Sequence, residues 1–158
     1  MQIEILANGA FGSALVKLGP NESFVSESGA MFRASSNMDI DVTTRPKGSK
    51  GGVLAGIKRL IGGDNFFFST YRTLDGGAGE VGLSPTLQGE VRVIDVEPSS
   101  GWVCAGGSYM GSHPDVALDV QFQGLKGFFS GESLFFMQAT GQGPLLVNAF
   151  GEISEVEV

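Results

Sequence analysis

The chain repeats itself, and this internal similarity constrains its fold more than any other feature. The segment LVKLGPNESFVSESGAM, residues 15–31, aligns without a gap with VIDVEPSSGWVCAGGSY, residues 93–109, at an offset of 78. Further along, GGDNFFF at 62–68 aligns with SGESLFF at 130–136, at an offset of 68. Repeats of this kind are supersecondary units that bury their apolar faces against one another.

The similarity predicts a domain organisation of two β repeats, 1–88 and 89–158, packed as one globular unit. A third alignment, of GEVRVIDV at 89–96 with GEISEVEV at 151–158, stops where a third repeat would begin. The third repeat is therefore absent, and two interpretations are open. Either two repeats suffice, or the chain is truncated before the third.

Short runs of alternating apolar residues predict the secondary structure. MDIDVTT, EVRVIDV and VALDVQFQ alternate with period two, and turn sequences such as LGPNES, DGGAGE and GQGP separate such runs. This pattern is typical of half-buried strands joined by tight turns, so we expect an all-β fold. One short helix is predicted at 53–61, where apolar residues recur at helical spacing within a basic insertion, 45–61, of the first repeat.

Four blocks of sequence carry a resemblance to a known family. They are SGAM at 28–31, LAGIKRLIGGDNFFFSTY at 54–71, GLSPTLQGEVRVIDV at 82–96 and GLKGFFSGESLFFMQATGQGPLLVNAFGEI at 124–153. In these blocks the chain resembles the AIM24 family, whose bacterial members are similar to the tryptophan RNA-binding attenuator protein (TRAP). The resemblance implies tandem β repeats of short double-stranded β-helix or β-sandwich type, three of them about a pseudo-threefold axis. It implies a fold rather than an activity, although the yeast member is linked to mitochondrial inner-membrane organisation.

Charge and cysteine content bear on partners and compartment. The formal net charge of -7 argues against nucleic acid as a partner, because phosphate neutralisation requires a basic face. The single cysteine, Cys104, excludes an internal disulfide and suits a reducing compartment. The first residues lack a basic start and a long apolar run, so they do not form a secretory signal. We expect a cytoplasmic protein, either free or peripheral to a membrane.

The sequence supports no enzyme chemistry, so we expect no catalytic residue, no metal site and no cofactor. His113 is the only histidine, which excludes a multi-histidine metal site. Cys104 follows a tryptophan and a valine in a strand, where a packed thiol is favoured over a nucleophile. Four aspartates could gather as carboxylates for a cation, but they alternate with apolar residues, as solvent-facing strand positions do: Asp39, Asp41, Asp115 and Asp119.

Gly77, Gly79 and Gly82 formally match the dinucleotide-binding pattern GxGxxG. That pattern has physical meaning only between a buried strand and the N-terminus of a helix. Here it precedes a predicted strand. We interpret it as a glycine-rich turn.

Half of the ten basic residues fall within fifteen positions, next to the predicted helix. The candidate contacts to an anionic membrane are Arg45, Lys47, Lys50, Lys58 and Arg59. Each such charge contributes about 1 kcal/mol near an anionic bilayer. The alternative is a loop that caps the β core with its apolar side and leaves its charges in water.

Aromatic and aliphatic residues at matching positions of the two repeats predict a shared core. The candidate repeat-interface residues are Phe66, Phe67, Phe68, Leu134, Phe135 and Phe136. Three consecutive apolar residues cannot all face one side of a strand, so we expect this segment to be covered on both faces.

These patterns favour a non-enzymatic scaffold or interaction protein that forms a homo-oligomer through its β repeats. The first alternative is a peripheral membrane module that uses 45–61. The second is a small-ligand or RNA-binding module, which rests on analogy of fold alone.

Overall fold

The computed structural model describes residues 1–7, 9–43, 67–105, 107–122 and 135–156. The regular secondary structure in these ranges consists of β-strands, and this confirms the all-β prediction. The predicted helix at 53–61 lies outside the described residues. The strands are β1 (Gln2–Leu6), β2 (Ser13–Leu18), β3 (Ser23–Glu27), β4 (Met31–Ala34), β5 (Met38–Thr43), β6 (Phe68–Thr73), β7 (Gly79–Leu83), β8 (Gly89–Val96), β9 (Trp102–Ala105), β10 (Tyr109–Ser112), β11 (Val116–Phe122), β12 (Phe135–Gly141) and β13 (Gly143–Phe150).

Local sequence explains where several strands begin and end. The alternating runs predicted as strands become β5, β8 and β11. The predicted turn LGPNES lies between β2 and β3, where Asn21 has a φ of 62°. Asparagine tolerates this left-handed conformation because its short polar side chain can bond locally. Gly79 and Gly82 lie within β7, so the GxGxxG match spans a turn and a strand.

The strands form three sheets, and all pairings between named strands are antiparallel. One sheet has the order β1-β2-β7-β4, a second has the order β5-β6-β3-β10-β13-β8, and a third has the order β11-β12-β9. No helix in the described ranges is long and apolar enough to cross a membrane.

Central strands of the six-stranded sheet are buried on both faces. On β3, Phe24 belongs to one hydrophobic cluster and the next residue, Val25, belongs to the other. Likewise on β13, Leu146 packs into the first cluster and Leu145 into the second. Because successive side chains of a strand point to opposite faces, the sheet lies between the two clusters. This burial on both sides explains why its strands contain consecutive apolar residues.

Strands β8 to β13 pair among themselves in the same pattern as β2 to β7. The order β2-β7-β4 matches β8-β13-β10, and the order β5-β6-β3 matches β11-β12-β9. The registers match as well: Phe24 lies opposite Tyr71, and Trp102 lies opposite Ala139. The two pairs are related by the same offsets that align the two repeats in the sequence.

An irregularity in the ladder recurs at matching positions. The register between β4 and β7 shifts between Met31 and Arg33, so Phe32 is skipped. The register between β10 and β13 shifts between Tyr109 and Gly111, which align with Met31 and Arg33 at the offset of 78. A β-bulge inserts one extra residue into one strand of an antiparallel pair and bends that strand. The two sets of strands therefore share a local distortion as well as an order of pairing.

The segment after β13 is held against β8 by a charged pair. Glu90, 8% exposed, accepts a hydrogen bond from the backbone N–H of Ile153 at 2.7 Å. Arg92 binds Glu90 at 3.1 Å and donates to the carbonyl oxygen of Ile153 at 2.7 Å. Arg92 also reaches Glu155 at 3.2 Å. Three of these polar contacts reach the segment beyond the last strand, and the ion pair within β8 holds the two side chains that make them.

Candidate functional site

The two sets of strands are joined by one short strand pair, β3 with β10. Ser26 lies opposite Gly111, and Val25 lies opposite Ser112. This junction turns two three-stranded halves into the six-stranded sheet. It is the place where the second half of the chain continues a sheet that the first half begins.

Buried hydroxyl groups surround the junction. The Tyr71 hydroxyl lies 3.0 Å from Oγ of Ser26, and the Tyr109 hydroxyl lies 3.1 Å from Oγ of Ser112. Tyr109 also donates to the carbonyl oxygen of Val25 at 3.4 Å. Burial raises the pKa of Tyr109 above its ordinary value, which keeps the phenol neutral. These hydroxyls satisfy one another where water is excluded.

Close aromatic packing also crosses the junction. A Cβ placed on Gly111 would lie 2.4 Å from Cε1 of Phe24, so the ring of Phe24 occupies the space that a side chain would need. The rings of Phe68 and Tyr109 meet edge to face, with centroids 6.0 Å apart and planes inclined by 67°. The first half of the chain therefore packs closely against β10 of the second half.

The counterparts of the junction strands are open edges. β9 corresponds to β3, and β4 corresponds to β10; each ends its own sheet and has a strand neighbour on one side only among the described residues. Every residue of β4 is exposed, including Phe32, whose side chain is 52% exposed. On β9, Trp102 and Val103 are 43% and 60% exposed. We call β4 and β9 the open edges.

Exposed apolar residues on a strand that ends its sheet are an unusual surface. Natural sheets protect their edges with charges, prolines or bulges, because unpaired backbone groups template pairing with another chain. The bulge at Phe32 and the charge of Arg33 give β4 partial protection. Arg33 binds Glu80 at 2.8 Å. By contrast, all four residues of β9, Trp102–Ala105, are uncharged.

The residues predicted from the sequence lie in several places. The five basic candidates, Arg45, Lys47, Lys50, Lys58 and Arg59, lie outside the described residues, as do Phe66 and Leu134. Phe68 is buried against Tyr109, and Phe67 and Phe136 are half-buried. Phe135 begins β12 and pairs with Phe122.

Of the residues weighed for chemistry, His113 and Asp115 lie together, with Nδ1 of His113 3.7 Å from Oδ2 of Asp115. Nδ1 of His113 accepts a hydrogen bond from the backbone N–H of Asp115 at 3.1 Å, within a turn. Asp39 binds Arg72 at 2.7 Å on the surface. Cys104 is half-buried, and burial raises the pKa of its thiol, which disfavours the nucleophilic thiolate. Within the described ranges, no three His, Cys, Asp or Glu side chains gather closely enough to hold a metal ion.

Sequence reasoning missed the open edges. The sequences of β3 and β9 are alike, and they do not show that β3 is central and that β9 ends its sheet. The aligned residues, Phe24 with Trp102 and Ser26 with Cys104, are of similar type and carry no signal of an edge.

Comparison with known proteins assigns the family. The family model described as "Mitochondrial biogenesis AIM24" matches residues 3–158. The chain belongs to the AIM24 family. This confirms the resemblance carried by the four sequence blocks.

Two relatives of this AIM24 chain come from Streptococcus pyogenes. A protein of serotype M6, named as uncharacterized protein M6_Spy0233, is 24% identical over 134 residues, covering 82% of this chain and 53% of that protein. The chain thus spans about half the length of the curated relative that it matches. The crystal structure of SPYM3_0169 superposes with a TM-score of 0.74 at 21% identity, covering 98% of this chain and 67% of the other. At that identity, the likeness concerns the fold alone.

Proposed function

We propose that this AIM24 chain is a non-enzymatic scaffold or interaction module that self-associates through its open edges. The observation that carries the proposal is the contrast between equivalent strands. β3 and β10 join to continue a sheet, whereas their counterparts β9 and β4 expose apolar side chains and, among the described residues, pair with a strand on one side only. Unpaired apolar edges favour pairing with another chain.

We further infer that β2–β7 and β8–β13 are two copies of one β unit, of the short double-stranded β-helix or β-sandwich type that resembles TRAP. Support comes from the matching pairing orders and registers, and from the bulge that recurs at aligned positions of the two sets. Duplicated units commonly bind one another through repeated surfaces. Because the two units are copies, the open edges β9 and β4 resemble the junction strands β3 and β10 in their position within the unit.

The contacts and burial of His113 and Cys104 support a non-enzymatic role. His113 uses its Nδ1 to stabilise a turn, and Cys104 is held in the thiol form by burial. The carboxylate of Asp115 lies 3.7 Å from Nδ1 of His113, beyond hydrogen-bond distance, and is exposed to solvent. A nucleophile without an adjacent base is weak at neutral pH.

Light scattering coupled to size-exclusion chromatography tests the proposal. We expect the mean mass to rise above 16.5 kDa as the protein concentration increases. A second measurement at high salt separates apolar pairing from charge attraction, since screening weakens only the latter. A constant monomer mass over a hundredfold range of concentration would refute self-association.

Peripheral attachment of a cytoplasmic protein to an anionic membrane is the second candidate function. The sequence supports it by placing five of its ten basic residues between Arg45 and Arg59. Flotation with vesicles of neutral lipid, and with vesicles that also contain an anionic lipid, tests it. We expect binding to the anionic vesicles only. Absence of binding to both kinds would exclude this function.

A further inference from the structure

The β3–β10 junction provides a geometric template for pairing between copies of the chain. In that junction Ser26 lies opposite Gly111. The residue that corresponds to Ser26 on β9 is Cys104, and the residue that corresponds to Gly111 on β4 is Arg33. The matched registers of β9 with β12 and of β4 with β7 establish both correspondences.

We propose that β9 of one copy pairs antiparallel with β4 of the next copy in this register, so that Cys104 lies opposite Arg33. The proposal rests on the self-association proposed above and specifies its partner and geometry. A second copy fits as the occupant because each chain offers both halves of the contact. Val103 then lies opposite Ala34, as Val25 lies opposite Ser112 in the template.

The side chains at these positions suit a contact between copies. In the template, the ring of Phe24 covers Gly111. Trp102 corresponds to Phe24, and Arg33 corresponds to Gly111. In the contact between copies, the indole ring of Trp102 therefore approaches Arg33. A guanidinium above an indole face is the most favourable of the common cation–π pairs. Arg33 is half-exposed and already oriented by Glu80 at 2.8 Å, so it is available for this contact.

Both strands are accessible for the pairing. β4 is exposed along its whole length, and three of the four residues of β9 are exposed. The contact joins two different surfaces, so it is heterologous, and the rotation between copies decides between a closed ring and an open array. Because each strand has four residues, the contact is small, and we expect association that depends on protein concentration.

Disulfide trapping tests the register. Residues directly opposite in an antiparallel pair have Cα atoms about 4.5 to 5.5 Å apart, which a disulfide can span. We expect Arg33→Cys to form covalent dimers and larger species through Cys104 under mild oxidation, and the variant Arg33→Cys with Cys104→Ser to form none. Ala34→Cys is the matched control, since position 34 lies opposite Val103 on the other face. Oxidation above pH 8 compensates for the raised pKa of the Cys104 thiol.

The intrinsic fluorescence of Trp102 tests the stacking without a new cysteine. It is the only tryptophan of the chain, so its emission reports on β9 alone. We expect the emission to shift to shorter wavelength as concentration rises, with the midpoint about two- to fivefold higher for Arg33→Ala. Arg72→Ala is the control for loss of a surface cation, because Arg72 lies on β6, outside both open edges, and binds Asp39 at 2.7 Å. It should leave the midpoint unchanged.

The outcomes test self-association and the β9–β4 register separately. Association by light scattering, without the cross-link between positions 33 and 104 and without a Trp102 shift, overturns the register and leaves self-association standing. A cross-link of Arg33→Cys that persists in the Cys104→Ser background indicates a symmetric β4–β4 contact and also overturns the register. A strictly monomeric protein overturns both levels.

Discussion

The ring of Phe24 occupies the place of the side chain that Gly111 lacks: a Cβ at position 111 would lie 2.4 Å from Cε1 of Phe24 and 2.9 Å from the carbonyl oxygen of Val25. This contact lies within the only strand pair that joins the two sets of strands among the described residues. The glycine is therefore a packing requirement of the junction.

Gly111→Ala is expected to destabilise the fold by about 1–3 kcal/mol, because overpacking forces a buried ring and backbone to move. Urea unfolding measures the change in the free energy of unfolding. Gly107→Ala is the matched control, since a Cβ there would meet nothing within 4 Å. Equal effects of the two substitutions would show that the junction is not closely packed.

Arg92→Met is expected to lower the free energy of unfolding by about 1–3 kcal/mol, because it removes the guanidinium that binds the buried carboxylate of Glu90 and the carbonyl oxygen of Ile153. Arg72→Met removes a more exposed pair with Asp39 and should cost at most about 1 kcal/mol. Denaturant unfolding compares the two. If Arg72→Met were the more damaging change, the contacts around Ile153 would not hold the segment after β13.

Glu27→Gln is expected to change the pH dependence of stability. Burial raises the pKa of Glu27, so the wild type loses stability as pH rises from the carboxyl pKa of the unfolded chain through that of the folded state. The variant lacks this loss. Its free energy of unfolding relative to wild type should therefore increase between about pH 4 and pH 7.

Glu22→Gln is expected to change the pH dependence of stability in the opposite direction. A hydrogen bond from the N-terminal ammonium of Met1, with a second from the backbone N–H of Gly19, lowers the pKa of Glu22. The ionised Glu22 stabilises the fold above the carboxyl pKa of the unfolded chain, and this contribution is lost as pH falls. The free energy of unfolding of Glu22→Gln relative to wild type should therefore decrease as pH rises. Stability differences that change in the same direction with pH for the two variants would contradict at least one of the two assignments.

Local sequence was enough to predict the all-β class and several strands. MDIDVTT and VALDVQFQ alternate apolar and polar residues, and both become strands, β5 and β11. Turn residues such as Asn21 mark the ends of strands because few other residues adopt a positive φ. These features depend on neighbours in the sequence, so the sequence shows them directly.

The candidate surface could not be predicted in the same way. β3 pairs with β10, a strand from the other half of the chain. The alternation of apolar and polar residues along β3 does not indicate which strand will be its neighbour. Met31 and Phe32 look like core residues in the sequence, yet both are exposed because β4 ends its sheet. Apolar character alone does not distinguish a central strand from an open edge.

Sedimentation velocity of a charged-edge variant tests the central claim most directly. Val103→Lys places a charge on β9, which natural sheets use to prevent pairing. Leu74→Lys is the control, because Leu74 is a comparably exposed apolar residue outside both open edges. The account predicts that wild type and Leu74→Lys associate with rising concentration, while Val103→Lys remains monomeric. Association of Val103→Lys equal to that of wild type would contradict it.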